Sequence, residues 1–154
     1  MNARLKIFSG NSHPGLARAI CDAIDVPLGQ YEVVRFKNDN LMVKIGENVR
    51  ECDVFYIQTS VDPVNDNVME ALIAIDALKS ASAARVTAVL PYFPYARSDK
   101  KDRPRISITA RLFTSFIWGG KYVNAVAAFL NELCHMMVFG IPFAVIYFAC
   151  RGSW

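Results

Sequence analysis

Short apolar runs alternate with stretches of helical periodicity along most of the chain. Residues 5–8, 54–58 and 85–90 are mainly apolar, which is typical of strands buried on both faces of a sheet. Strands that alternate with helices predict an α/β fold, with a mostly parallel sheet flanked by helices. The predicted helices bury Leu16, Ala19, Ile20 and Ile24 in the first case, and Val68, Met69, Leu72, Ile73, Ile75 and Leu78 in the second, while a third helix covers 106–118.

Further segments have less regular patterns and predict shorter or more exposed elements. Residues 33–36 indicate a second strand, and residues 41–45 alternate between apolar and polar, as in a half-exposed strand or a hairpin arm. Residues 65–67, with the sequence Asn-Asp-Asn, offer N-cap side chains to the second helix. Residues 123–129 and 143–148 predict two more strands.

Cationic side chains are concentrated in the segment 91–105, PYFPYARSDKKDRPR, which follows the third apolar run. Ligands of parallel sheets bind at the carboxyl ends of the strands, so the loops after residues 8, 36, 58 and 90 are the informative ones. Arginine forks and lysine ammonium groups suit a polyphosphate. The alternative is a solvated charged loop, but the position after a strand favours phosphate binding.

Three other segments offer weaker candidates. Phe36 precedes Lys37-Asn38-Asp39-Asn40 and offers a ring for stacking on a base, although Asn and Asp are also ordinary turn residues. The residues 9–12, Ser-Gly-Asn-Ser, form either an anion nest or a helix cap, and we expect a structural or surface role for His13. Neither G-x-x-x-x-G-K-[ST] nor GxGxxG is present, so a nucleotide would have to bind by another route.

Composition narrows the class of protein. With 53% apolar residues the chain can form a core, and a net charge of +3 does not indicate a nucleic-acid partner. Four cysteines without a CxxC pair, and no secretory signal, favour a reduced cytoplasmic protein. The uncharged segment 133–150 is interrupted by His135 and Pro142, which favours a buried strand and loop over a membrane anchor.

Four stretches resemble the ribose-phosphate pyrophosphokinases, also called phosphoribosyl pyrophosphate synthetases. They are SGNSHPGLA, DVFYIQTS, PVNDNVMEALIAIDALK and SAARVTAVLPYFPYARSDKKDRPRISITARL, and the match extends from about Leu5 to Leu112. The resemblance implies a phosphoribosyltransferase-like N-terminal domain in an enzyme that uses ATP and Mg²⁺ to convert ribose 5-phosphate into phosphoribosyl pyrophosphate and AMP. It also implies a homo-oligomer with an ATP site between subunits.

Two segments match the ATP-binding motifs of this family. In the family's ATP loop, Ser98 stands where many members have Gln, and in the base-contacting segment from the neighbouring subunit, Asn40 stands where Glu is common. The matched residues are Arg97, Ser98, Asp99, Lys100, Lys101 and Asp102 in the loop, and Phe36, Asn38, Asp39 and Asn40 in the base-contacting segment.

The resemblance weakens after Leu112, so we expect the domain at 1–121 to be followed by a divergent apolar tail at 122–154, with the second domain absent. Counted without gaps, Phe129 and Asn131 occupy the family's magnesium positions, and Phe is no magnesium ligand. Either the tail has diverged while keeping the family's register, or it comes from another reading frame or a foreign exon. We therefore expect a family member that is inactive alone, or alternatively a non-catalytic subunit that modulates a full-length synthetase.

Overall fold

A computed structural model of the chain describes residues 4–101, 103–118 and 123–127. In chain order, its elements are β1 (Leu5–Ser9), α1 (Pro14–Ile24), β2 (Tyr31–Arg35), β3 (Leu41–Ile45), β4 (Asp53–Ile57), α2 (Val64–Ser80), β5 (Arg85–Leu90), α3 (Thr109–Trp118) and β6 (Val123–Ala127). The predicted α/β class is confirmed. The strand predicted at 143–148 lies outside the described residues.

The main sheet contains four parallel strands in the order β1-β4-β5-β6. Leu5 pairs with Asp53, which also pairs with Arg85, and Val86 pairs with Val123. Because these strands are parallel and in close register, the chain leaves β1, β4 and β5 at the same end of the sheet. The loops that follow these strands therefore lie side by side, where ligands of such sheets bind.

Helices cover both faces of this sheet. Alternate strand residues point to opposite faces, so Ile7 packs with Ala17 and Cys21 of α1, whereas Phe8 packs on the side of α2 and α3. The larger core on that second side includes Val54, Tyr56, Ala74, Leu78, Val86, Leu90, Phe113 and Ile117.

Two helix faces differ from the predicted ones. In α1, Ala17 and Cys21 are buried, whereas Ala19 and Ile24 are exposed. The side of the helix that contacts the sheet is therefore narrower than the apolar face predicted from the sequence. In α2, Met69 is 52% exposed. Tertiary packing, not hydrophobicity alone, decides which side of each helix is buried.

The strands β2 and β3 form a separate antiparallel hairpin in which Tyr31 pairs with Ile45 and Arg35 with Leu41. This confirms a hairpin arm at 41–45 but corrects the prediction that the loop after Phe36 follows a strand of the parallel sheet. That loop is the turn of the hairpin instead. The amide of Phe36 donates to the Asn40 carbonyl just beyond the strands, so the turn begins at the aromatic residue.

The starts of α1 and α2 also differ in how they are capped. His13 is the N-cap of α1, where its Nδ1 accepts from the amide of Leu16 at 3.0 Å, and the expected structural role of His13 is confirmed. Pro63 precedes α2 at the N-cap position without a side-chain cap. Residues 65–67 are therefore inside the first turn, and the prediction that they cap the helix is wrong, since the helix begins at Val64 directly after the proline.

Among residues 4–101, 103–118 and 123–127, no helix combines the length and apolar character needed to cross a membrane. The uncharged segment 133–150 lies outside this part of the chain.

Candidate functional site

A polar network connects the loops after β1 and β4. Gln58 is 1% exposed. Its Oε1 accepts from Ser12 Oγ at 2.8 Å, and its Nε2 donates to the Asn67 carbonyl at 3.2 Å. Ser12 Oγ in turn accepts from the backbone amide of Thr59 at 2.8 Å. The segment 9–12 is therefore held against the end of β4 by side-chain hydrogen bonds, while the cap of α1 is supplied by His13.

The basic loop, defined as residues 91–105, follows β5 and is anchored at several points. Pro94 is fully buried, and the ring of Phe93 meets that of Phe113 edge-on at 5.4 Å between centroids. Tyr95 Oη donates to Asn65 Oδ1 in the first turn of α2. The backbone of Ser98 is bonded on both sides, because its amide donates to the Tyr95 carbonyl at 2.8 Å and its carbonyl accepts from the amide of Ala110 at 3.4 Å.

The charged side chains of the basic loop are exposed beyond these anchors. They are Arg97, Asp99, Lys100, Lys101, Arg103 and Arg105, with Ser98 half-buried. Within the described part of the chain, none of the cations of this loop takes part in an ion pair; Asp102 lies outside that part. Several cations on an anchored loop at the carboxyl end of a central strand suit a polyphosphate.

The hairpin tip, defined as residues 36–40, is a tight turn with an exposed ring. The amide of Asp39 donates to the Phe36 carbonyl at 3.0 Å, and Asp39 has a positive φ of 63°, which Asp tolerates better than most residues. Phe36 is 48% exposed. Asn38 Oδ1 accepts from the backbone amide of Asn40 at 3.3 Å, so Asn38 shapes the turn.

Both candidate segments are connected to the first turn of α2. Tyr95 of the basic loop bonds to Asn65, and Arg35, beside the hairpin tip, forms ion pairs with Asp66 at 2.6 Å and with Asp39 at 3.3 Å. The described hydrogen bonds do not join the tip to the basic loop directly. The start of α2 is thus a common base for two segments that are far apart in the sequence.

Sequence reasoning missed the buried polar groups that hold this region together. Asn67 and Glu70 of α2 are 6% and 5% exposed, and the amide of Asn11 donates to Glu70 Oε1 at 2.9 Å. The Asn67 side chain donates to the Val61 carbonyl at 2.8 Å. The one available signal was that these two residues lie three apart, beside Ala71 and Ala74 on the buried side of the helix.

The chain is a parallel α/β domain whose anchored basic loop lies at the carboxyl end of a central strand, where ligands of such sheets bind. Residues 5–118 match the family model described as the N-terminal domain of ribose phosphate pyrophosphokinase. The chain therefore belongs to the ribose phosphate pyrophosphokinase family, through this domain.

Individual relatives agree with the family model. The chain is 56% identical to the ribose-phosphate pyrophosphokinase of Deinococcus radiodurans over 120 residues, which cover 76% of this chain and 38% of that protein. The solved phosphoribosylpyrophosphate synthetase of Mycobacterium smegmatis superposes with a TM-score of 0.76 and 40% identity, covering 80% of this chain and 42% of that one. The chain spans between about a third and a half of the length of the curated relatives it matches.

Some similarity continues into the tail. The ribose-phosphate pyrophosphokinase of Clostridium tetani is 53% identical over 158 aligned residues, which cover 96% of this chain and 49% of that protein. Coverage of 96% extends past residue 118, where the family model ends. The two accounts of the tail stay predictions. The boundary between 1–121 and 122–154 stays a prediction.

Proposed function

We propose that this chain is the nucleotide-binding part of a ribose-phosphate pyrophosphokinase. In that reaction the β,γ-diphosphate of ATP is transferred to the 1-hydroxyl of ribose 5-phosphate, which yields phosphoribosyl pyrophosphate and AMP. The observation that carries the proposal is the basic loop, whose backbone is anchored while its cations project into solvent at the carboxyl end of β5. Family membership supplies the identity of the reaction.

The triphosphate is assigned to Arg97, Lys100 and Lys101, with Ser98, Asp99 and Asp102 completing the motif. An arginine fork can take two phosphate oxygens, and lysines add point charges that tolerate different phosphate positions. Ser98 uses both backbone groups to anchor the loop, so this position supports the loop whichever side chain it carries. That observation reduces the importance of Ser replacing Gln here.

The adenine is assigned to the hairpin tip, where Phe36 provides a ring for stacking. Asn38 Oδ1 and the Asp39 carboxylate both have partners within the hairpin, so they support the turn more than they read a base. Asn40 is the residue whose side chain we expect to face the base edge. The family resemblance implies that the tip of one copy meets the basic loop of another, and a site built in this way requires a homo-oligomer.

Magnesium is expected to accompany ATP, and when bound it neutralises charge on the phosphates that are transferred. Among the described residues, no group of three or more His, Cys, Asp or Glu side chains is arranged to hold a metal ion. Phe129 and Asn131, which a count without gaps assigns to the family's metal positions, lie outside the described residues. The cations of the basic loop are assigned positioning of the phosphates and neutralisation of their charge.

Isothermal titration calorimetry of the chain with ATP, with and without Mg²⁺, tests the nucleotide site. We expect saturable binding that Arg97→Ala weakens by about tenfold, the effect of losing a charge-assisted hydrogen bond of roughly 1.5 kcal/mol. Arg18→Ala, which removes an exposed cation on α1, is the matched control and should leave binding unchanged. The absence of binding by the unmutated chain would contradict the proposal.

The reaction itself is tested by measuring AMP release from ATP and ribose 5-phosphate. AMP formation by the chain alone would establish the full activity, and ATP binding without AMP would restrict the role to the nucleotide half. Adding the chain to a full-length synthetase addresses the modulatory alternative, since a modulator that binds this enzyme changes its rate with added concentration until the effect saturates. An unchanged rate would remove that alternative.

A further inference from the structure

Glu70 joins three elements of the fold although it is 5% exposed. From its place in α2, its Oε1 accepts from the backbone amide of Asn11 at 2.9 Å and from Tyr31 Oη at 3.0 Å. Asn11 belongs to the loop after β1, and Tyr31 is the first residue of β2. One carboxylate oxygen therefore connects the base of the hairpin to the carboxyl end of the main sheet.

Tyr31 is well suited to act as a permanent donor to Glu70. Burial raises the pKa of Tyr31 far above its ordinary value of 10.0, and the nearby Glu70 carboxylate raises this pKa further. The hydroxyl therefore stays protonated at neutral pH. The hydroxyl of the fully buried Tyr56 lies 3.2 Å from that of Tyr31, with the two rings 5.8 Å apart, and it makes no described hydrogen bond to Glu70.

The hairpin is not packed against α2 along its whole length. Val43 and Ile45 of β3 pack on the core, but a cleft of about 330 Å³ separates Val33 and Leu41 of the hairpin from Asp66 of the helix. Polar contacts therefore help to set the orientation of the hairpin over this cleft.

Two such contacts join β2 to α2. The Arg35–Asp66 pair is about half exposed on both sides, and exposed ion pairs restrain a structure only weakly. The Tyr31–Glu70 bond is part-buried and Glu70 is only 5% exposed, so this bond is better shielded than the ion pair and is the stronger of the two restraints. It is also the one that continues to the loop after β1, through the amide of Asn11.

We propose that Glu70 is a positioning residue that couples the orientation of the hairpin to the loop after β1. Glu70 acts through its neighbours, because its described hydrogen bonds go to Tyr31 and Asn11. The consequence for ligand binding rests on the proposed function, since it assumes that the hairpin tip contacts a nucleotide. The coupling itself does not depend on that assumption.

Amide hydrogen exchange measured by NMR on the chain, in a double-mutant cycle of Tyr31→Phe and Glu70→Ala, tests the coupling. Tyr31→Phe should speed exchange of the β2–β3 ladder amides and of the Asn11 amide by roughly tenfold, the loss expected for a hydrogen bond to a charged group. In the Glu70→Ala background the same substitution should have no further effect. Equal effects in both backgrounds would overturn the proposal.

Two further variants separate positioning from general loosening of the core. Tyr56→Phe removes the buried hydroxyl beside Tyr31 Oη but leaves the Tyr31–Glu70–Asn11 chain, so exchange at Asn11 should change much less than with Tyr31→Phe. Asp66→Ala removes the exposed bridge and should act on the hairpin alone. If Glu70→Ala does not fold, Glu70→Gln replaces it in the cycle, because the neutral side chain still fills the site. The effect of Tyr31→Phe should then be smaller in the Glu70→Gln background than in the wild type, although not abolished. A change at Asn11 with Tyr56→Phe as large as with Tyr31→Phe would overturn the proposal.

ATP titration of the same variants addresses the link to the nucleotide. Tyr31→Phe should weaken ATP binding several-fold and Tyr56→Phe should weaken it less, because only the first variant removes the hydrogen bond that joins β2 to Glu70. If the wild-type chain binds no ATP, the proposed function fails, whereas the exchange cycle still decides whether Glu70 couples the two elements. If ATP binds and Tyr31→Phe leaves its affinity unchanged, the positioning role toward the nucleotide is refuted.

Discussion

Gly10 passes so close to two buried side chains that any larger residue should destabilise the fold. A Cβ atom added at Gly10 would lie 2.6 Å from Tyr56 Oη, and closer still to the amide of Gln58. Both side chains are at most 1% exposed. The backbone of Gly10 also donates to the Ile57 carbonyl at 2.9 Å, so the loop cannot retreat without losing this bond.

The expected cost of Gly10→Ala can be worked from what must move. The Gln58 amide would have to leave its bonds to Ser12 and Asn67, each worth about 1 kcal/mol, while the rigid ring of Tyr56 cannot rotate away. Overpacking in a core costs about 1–3 kcal/mol. We therefore expect a loss of about 3 kcal/mol in the free energy of unfolding, a large fraction of the roughly 5–15 kcal/mol typical of a domain.

Urea denaturation of Gly10→Ala beside Gly15→Ala measures this cost. At Gly15 an added Cβ would meet two atoms of the His13 ring at 3.7 and 3.8 Å, which is ordinary contact. Ala is also the better residue within a helix, by up to about 1 kcal/mol. Gly15→Ala should thus be neutral or slightly stabilising. Equal midpoints for the two variants, or an undiminished midpoint for Gly10→Ala, would refute the packing described around Gln58.

Two further predictions concern the basic loop and the buried tyrosines. Phe93→Ala should lower the free energy of unfolding by about 2–3 kcal/mol in urea titrations, because it removes a core contact and the edge-on pair with Phe113, whereas Tyr92→Ala, at a 45% exposed residue, should cost under about 0.5 kcal/mol. The raised pKa of Tyr31 means that the native state retains a proton which the unfolded chain loses near pH 10, so the free energy of unfolding is intact below pH 10 and falls above it. Between pH 10 and 11 the wild type should lose about 1 kcal/mol more of this free energy than Tyr31→Phe. Parallel curves of unfolding free energy against pH for the two proteins would contradict the burial of this hydroxyl.

The main sheet was predictable because its strands are buried on both faces. β1, β4 and β5 each appear as an apolar run, and the helical stretches between them imply parallel neighbours. The hairpin was harder to place. Alternation at 41–45 reports which side chains are exposed, but it carries no information on which strand is the partner, and β2 could have joined the main sheet on pattern alone.

The charged residues of the candidate site were predictable from the sequence, but the contacts that anchor its loops were not. The cations of the basic loop and their position after a strand are visible in the sequence. The anchors depend on partners distant along the chain, such as Phe113 for Phe93 and Asn65 for Tyr95. Glu70 is the clearest case, because its partners are 39 and 59 residues away, and no local pattern distinguishes this carboxylate from an exposed one.

Titration with ATP of two charge-matched variants tests most directly whether the basic loop binds a nucleoside triphosphate, as we propose. One variant replaces Arg97, Lys100 and Lys101 with Ala, and the other replaces Arg18, Lys44 and Lys79, so each lowers the formal net charge from +3 to 0. We predict that the first loses ATP affinity by at least about tenfold, while the second stays within about twofold of the wild type. Equal losses in the two variants would mean that only overall charge matters, and would contradict the assignment of the site to this loop.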